Sequence, residues 1–453
     1  MRKIPILIIF FLVVGDLCAQ DSLVQKQKEV KVKKGWTFGA LPTISFDSDL
    51  GFQYGGLVNF YHYGDGSIYP RYRQSIYIEI SRTTKGSGIN RFYYDSEYLI
   101  PKVRLTADVS YLTEQAMQFF GFNGAESVYN SEWEDDSQDS SIYKSRMFYR
   151  HDRKIFRIMP TFQGNLLKGN VHWKWITGFA MYNNKIDTVD VERLNKGKNA
   201  QNKLPYIEDL YEKYIRWNLI SPEEKNGNLI TYIKGGIAYD SRDNEANPFK
   251  GLWTEAVLSV APAFLGDWKQ TYTKLTLIHR QYFTIRPEVL SFAYRVAYQG
   301  TLSGEVPFHM QPHIVPTVLT SATSQGLGGS RTLRGIQRNR VIGDGIIFGN
   351  FELRWKFLRT IVFNQNLYLG TNIFFDAGMV VDKIDRDFDN ILFKLPETAG
   401  DYFSDQKEKL HSSAGLGLKV ALNENFILSC DYGRAFDPND GKSGLYIALN
   451  YLY

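Results

Sequence analysis

Cysteine is almost missing: Cys18 and Cys430 are the two in 453 residues. Cys18 falls in a segment that reads as a cleaved leader, so a single thiol remains and no intramolecular disulfide is expected. Beyond that leader there is no apolar run long enough for a membrane helix. Charge of neither sign dominates, with a net charge of +5. Nothing resembles a nucleic-acid-binding module, so no nucleic-acid partner is expected. A mean hydropathy of -0.30 and 22% charged residues ordinarily describe a soluble protein. A transmembrane β-barrel escapes that test, because only every second residue of a spanning strand meets lipid.

Aromatic residues are plentiful, with 29 Tyr and 30 Phe, which suits many short strands and interfacial girdles. Residues 1–20 read as a secretory signal: Arg2 and Lys3, an apolar core over Ile6–Val14, then Leu17-Cys18-Ala19 before the cut. The alternative, a lipoprotein signal with Cys18 lipidated, fits Asp16 and Leu17 poorly. Residues 21–35 form a short, Lys-rich periplasmic segment. From Trp36 onward, alternating apolar and polar segments recur between Gly, Asn, Asp and Lys clusters. They number roughly 14 to 18, best read as about 16 strands. The connections are unequal. Asn123–Ser141, Asp187–Gly227, Gly304–Gly343 and Val381–Lys409 are long, whereas Ala421–Asn425 is tight. Within the second, Ile207–Ile215 has helical spacing and predicts a short surface helix. The fold class is therefore all-β: an antiparallel transmembrane barrel over residues 36–453, in a Gram-negative type outer membrane. A soluble β-sandwich would have shorter loops and no terminal aromatic strand.

That terminal strand is Leu445–Tyr453. Leu445, Ile447, Leu449, Tyr451 and Tyr453 share one face by alternation, which predicts an outer, lipid-facing set. It would pair with Thr37–Phe46 to close the ring. Pro42 lies within that first strand and lacks an N–H; it suits either a weakened seam or a bulge.

Alternation also sorts the strands around residues 346–378. Ile347, Gly349, Phe351, Leu353, Trp355 and Phe357 should face lipid. Phe348, Asn350, Glu352, Arg354 and Lys356 should face the lumen. In the next strand Phe374, Asp376 and Gly378 point inward. Glu352 and Asp376 are thus two lumenal carboxylates on consecutive strands. The long loop before them carries Arg331 and Arg334 in Gly328-Gly-Ser-Arg-Thr-Leu-Arg-Gly335 and is able to fold back to meet them.

Enzymatic and metal chemistry find little support. Ser330 has no G-x-S-x-G frame and no evident histidine partner. His309 and His313 lie in a Pro-rich loop without an acidic third ligand, so no metal is expected. The acidic run Glu132–Asp136 with Asp139 lacks the glycine of a calcium loop. Gly326–Ser330 does not lead from a strand into a helix as a phosphate loop does. No cofactor is expected.

Four motifs occur in order. Leu333-Arg334-Gly335-Ile336 resembles the [V/L]-R-G-[F/Y] loop motif of the BamA/TamA-type outer-membrane assembly and translocation superfamily, the bacterial surface-antigen barrel. Phe374-Phe-Asp376-Ala-Gly378 is similar to its F-x-D-x-G strand. Asn350-Phe-Glu352-Leu-Arg354 is similar to its N-x-E-x-R strand, and Tyr239-Asp240-Ser-Arg242-Asp243 with Pro248 and Gly251 to its D-x-R-D hairpin. The resemblance implies a 16-stranded barrel whose sixth extracellular loop enters the lumen, with Arg334 held by Asp376 and Glu352. It implies insertion or translocation of a polypeptide, and a first-to-last-strand seam able to part. Ile336 departs from the family by replacing the motif aromatic. Residues 21–35 leave no room for periplasmic POTRA modules, so a short member would need a periplasmic or secreted protein partner. A static channel, or a structural subunit of an outer-membrane complex, is the second reading.

Overall fold

In the computed structural model, residues 32–453 are described except 49, 70, 246, 315–325, 363–364, 423–425 and 450. The expected leader, residues 1–20, and most of the 21–35 segment lie outside the described residues.

The chain winds into a closed barrel of antiparallel neighbours, β1 through β16. In order these are β1 (Trp36–Asp47), β2 (Gly51–His62), β3 (Gln74–Thr83), β4 (Ser87–Ile100), β5 (Val103–Gln118), β6 (Arg150–Leu167), β7 (Asn170–Asp187) and β8 (Leu229–Asp240). Then come β9 (Gly251–Ala261), β10 (Tyr272–Arg286), β11 (Leu290–Ser303), β12 (Gly345–Val362), β13 (Gln365–Asp382), β14 (His411–Leu422), β15 (Phe426–Ala435) and β16 (Ser443–Leu449). This is the expected fold class and strand number. The stretches around Phe92 and Phe156, whose alternation is ambiguous, form β4 and β6.

The period-2 pattern sorts the side chains. Phe38, Ile80, Ile233, Ile373 and Leu416 are exposed on the outside. Asp108, Arg157, Glu255, Lys274, Arg280, Glu352 and Asp376 are buried inside. Lumenal charge lowers the mean hydropathy while the lipid face remains apolar.

Connections alternate between the two ends. Residues 119–149, 188–228, 304–344 and 383–410 are long and share one end; residues 101–102 and 168–169 are tight turns at the other. The long connections pack into one aromatic cap, which includes Phe119, Trp133, Tyr149, Tyr214, Trp217, Phe308, Ile342 and Tyr402. The predicted helix forms as α1 (Leu210–Arg216). Asp209 accepts a hydrogen bond from the Glu212 amide, and Glu212 accepts one from the Asp209 amide, a reciprocal cap. Leu210, Tyr211 and Tyr214 are buried, so this helix belongs to the cap's interior rather than to its surface.

Candidate functional site: a lumenal loop clamp and a short seam

The connection between β11 and β12 turns back into the barrel. Leu327 and Val341 exchange backbone hydrogen bonds of 2.9 and 3.1 Å, which makes residues 327–341 a narrow-necked loop. Inside it, the Thr332 hydroxyl accepts from the Gly328 amide at 2.9 Å and donates to a Gly326 or Gly328 carbonyl. Leu333 and Ile336 are buried with Ile278, Ala297, Phe348 and Val380. Ile336 therefore fills an apolar wall where the family motif has an aromatic. Gly378 lies against this wall: a Cβ there would meet Phe348 Cβ at 2.8 Å and the Ile347 carbonyl at 3.0 Å.

Arg334 stands at the tip. Its Nε donates to Asp376 Oδ2 at 2.9 Å and its Nη2 to Asp376 Oδ1 at 3.0 Å, a bidentate fork. Its own amide donates to Asp376 Oδ2 at 3.0 Å. Nη1 lies 2.7 Å from Glu352 Oε1 and 3.4 Å from Asp431 Oδ2. The guanidinium sits 3.5 Å from the Phe374 ring centroid, in cation–π contact. Both Arg334 and Asp376 are essentially solvent-free. Three carboxylates on β12, β13 and β15 thus converge on one loop cation. Two further cations share the load: Arg354 Nε is 2.7 Å from Glu352 and Lys419 Nζ is 2.6 Å from Asp431.

The neighbouring glycine is fixed by space. Gly335 has φ +93, and a Cβ there would lie 2.5 Å from the Gly433 carbonyl carbon. Gly433, on β15, would place a Cβ 2.6 Å from the Arg334 oxygen. Loop and wall backbones touch here, and the Gly335 amide donates to the Tyr446 hydroxyl on β16 at 3.1 Å.

Other anchors flank the clamp. Arg338 pairs with Glu114 on β5, which Arg153 Nε also binds at 2.9 Å. Arg340 donates to the carbonyls of Asn439, Gly124 and Ser127 at 2.8 to 3.1 Å. Arg295 and Asn350 bind the Arg331 and Thr332 carbonyls at 2.8 and 2.6 Å. Arg331 thus gives its backbone to the wall, while Arg334 supplies the clamp.

The Asp240–Asp243 motif lies elsewhere, in the turn from β8 to β9. Arg242 Nε binds Asp240 Oδ1 at 2.9 Å, and its guanidinium is 4.8 Å from the Trp253 ring. Asp243 Oδ1 accepts from the amides of Phe249 and Lys250 at 3.0 and 3.3 Å. These residues shape a turn at the end opposite the long loops and do not join the clamp.

The seam departs from expectation. β1 pairs with β2 along its whole length, Pro42 opposite Gly56. Toward β16 its paired residues are Phe46, opposite Ile447, and Asp47, opposite Tyr446. Ser48 adds a hydrogen bond from its amide to the Leu445 carbonyl at 3.1 Å. Among the described residues, Trp36–Ser45 have no β16 partner, so Pro42 sits on the open part of this edge. β16 ends at Leu449 rather than at Tyr453. Tyr451 and Tyr453, expected to face lipid, are buried inside. Tyr453 donates from its hydroxyl to the Ala293 or Asn350 carbonyl at 3.1 or 3.0 Å. Its backbone oxygen accepts from Arg354 Nη2 at 2.9 Å, and the Tyr451 ring lies 4.3 Å from that guanidinium. The physical reason is polar: buried tyrosine hydroxyls need partners, and the lumen supplies carbonyls and guanidiniums that hydrocarbon lacks.

An Omp85 superfamily domain profile matches residues 73–450. The chain belongs to the Omp85 superfamily. Among solved structures, BamA from Haemophilus ducreyi lacking POTRA domains 1–3 is similar, with a TM-score of 0.52 and 15% identity over 92% of this chain and 70% of that one. CdiB from Escherichia coli is similar with a TM-score of 0.54 and 10% identity, over 92% of this chain and 63% of CdiB. At such identities the likeness speaks for the fold. No curated protein matches the chain. Barrels of the Omp85 superfamily are outer-membrane proteins, and their members are insertion or translocation barrels.

Within this Omp85 barrel, several site residues escape a sequence reading. Asp431 falls on the inward face of the Phe426–Tyr432 alternation, which was signal enough to place it with Glu352. Glu114 lies beyond the Val103–Leu112 pattern because β5 runs on to Gln118. Gly433 carries no pattern signal, since its role is to leave space for another segment's backbone.

Proposed function

We propose that this chain acts in the insertion or translocation of a polypeptide at the outer membrane, through conformational change and without covalent chemistry. The observation that carries the reading is the seam. A barrel strand of 12 residues is tied to its closing neighbour at one end, while an inward loop is fixed by a buried three-carboxylate clamp. Superfamily membership supports the class of activity. In this reading the chain is exported through a cleaved signal, sits in outer-membrane lipid and works with a periplasmic or secreted protein. An exposed sheet edge is a template for an incoming strand, and the open edge of β1 supplies one.

The second reading, a static channel or structural subunit, draws on the filled lumen: loop and C-terminal tail both occupy it. Gentle detergent purification from native membranes, with identification of co-purifying proteins, separates the two. The translocation reading expects a periplasmic or surface polypeptide in near-stoichiometric amount. Recovery of the barrel alone, or among purely structural outer-membrane subunits, favours the second reading.

A further inference from the structure

The outer wall carries a row of positive charge on one side of the barrel. Arg82 on β3 lies opposite Gly88 on β4, and Gly88 opposite Thr113 on β5. Thr113 in turn lies opposite Lys154 on β6, and Lys154 opposite Lys185 on β7. Register therefore puts these residues at one height. With neighbouring strands about 4.8 Å apart, the row runs roughly 19 Å around the wall. Arg82, Lys154 and Lys185 are exposed, and their chain neighbours Ser81, Arg153 and Ile186 are buried on the inner face. The Arg82 side chain leans across Gly88 toward Thr113: a Cβ on Gly88 would lie 3.1 Å from Arg82 Cδ and 2.7 Å from Thr113 Oγ1.

The height of this row is set by the residues beneath it. The next outward row toward the short turns includes Ile80, Tyr111 and Phe156, all exposed. Along β6, Phe156 and Leu166 are exposed on the same face. Their separation along a strand tilted by ~40° rises about 25 Å, the height of a barrel's apolar band. Phe156 thus marks the lipid boundary at the end that bears the long connections, and the cations stand one row beyond it, at headgroup level. Counter-charge there is sparse. Lys154 Nζ is 3.8 Å from Asp152 Oδ1, a loose contact. Arg82 donates to the Ser81 carbonyl at 2.7 Å and to Asn90 Oδ1 at 3.1 Å, both neutral. Among the described residues, no carboxylate forms an ion pair with Arg82 or Lys185. Asp187 lies opposite Asp152 one row farther from the membrane. Like charges directly opposite on a sheet repel, and an anion seated between Lys154 and Lys185 relieves that repulsion. The same rim on β11 and β13 carries exposed Leu302 and Val381, so the charge is confined to an arc.

We propose that Arg82, Lys154 and Lys185 form a docking site on the outer wall for the phosphate groups of an anionic glycolipid of the outer leaflet. Its acyl chains lie over Ile80, Tyr111 and Phe156. The longer loops of an outer-membrane barrel face outside, which places the row in that leaflet. A phosphate accepts several charge-assisted hydrogen bonds at once, and Lys154 and Lys185 supply two ammonium groups from directly opposed positions. The Arg82 guanidinium bounds the far side of the shallow surface left by Gly88 and Thr113. The lysine stems cover apolar wall while their charged ends reach the headgroups. The site rests on the placement of the barrel in the outer membrane and is independent of the translocation reading.

The test titrates the purified full chain in detergent with diphosphoryl lipid A, and with the same lipid A stripped of both phosphates. Bound lipid is counted by native mass spectrometry, with heat-modifiability as the folding check. The unaltered chain is expected to prefer the phosphorylated lipid by about ten-fold or more, since each cation near an anionic headgroup contributes about five-fold. Lys154→Gln combined with Lys185→Gln should remove most of that preference, and Arg82→Gln part of it. Arg434→Gln, which removes an exposed cation on β15, should leave it intact. If the double variant does not fold, Lys185→Gln alone serves in its place. Equal affinity for the two lipids would overturn the proposal, as would a preference that survives the lysine substitutions or falls equally with Arg434→Gln. Displacement of the bound lipid by millimolar inorganic phosphate would also overturn it, because the row would then hold a free anion rather than a headgroup.

Discussion

Arg334→Ala should leave three buried carboxylates facing one another without their shared cation. Removing one member of a buried ion pair costs about 3–5 kcal/mol, and the fork to Asp376 together with the 2.7 Å contact to Glu352 places this clamp in that class. The expected result is a sharp fall in folded barrel, read as lost heat-modifiability and increased protease cleavage within residues 326–342. Lys356→Ala is the comparison. Lys356 is buried and its ammonium lies 4.2 and 4.3 Å from the Phe249 and Tyr368 rings, remote from the loop tip. Its loss should cost less. Equal behaviour of the two variants would count against the clamp.

Gly433→Ala should produce the same loop release without touching a charge. The added Cβ would stand 2.6 Å from the Arg334 oxygen, and the obstacle is backbone on both sides, which no rotamer change relieves. Overpacking of a tight interior costs about 1–3 kcal/mol, and occasionally more. The upper part of that range is expected here, because the displaced segment carries Arg334. Protease sensitivity of residues 326–342 is the measurement, and an intact, protected loop would show that the two backbones do not meet. Gly433→Ala combined with Arg334→Ala should cost less than the sum of the two, since both release the same segment.

These residues also mark what a sequence can tell. Strand alternation carries the lumenal position of Glu352, Arg354 and Asp376, because a spanning strand has one wet and one lipid face and a period of two. It fails at Tyr451 and Tyr453 for a physical reason. Alternation describes a strand that has both neighbours, and it is silent on a competing set of lumenal cations. Arg354 was legible as an inward residue; that it would bind the chain's own end was not, because the partners are about 100 positions apart, as the 99-residue separation from Tyr453 shows. The helix near Ile207 was legible from its spacing. Its burial was not, since the aromatic cap is built from four separate connections. The glycine contact between residues 335 and 433 is the least legible of all, for it depends on an approach of two backbones and on no side chain.

The most direct measurement of the seam's role is a functional assay of the Ile44→Cys/Leu449→Cys barrel in cells, oxidised and then reduced. The locked seam is expected to abolish function and reduction to restore it, with the amount of folded barrel unchanged. Full function in the fully cross-linked state would contradict it and leave a static outer-membrane barrel.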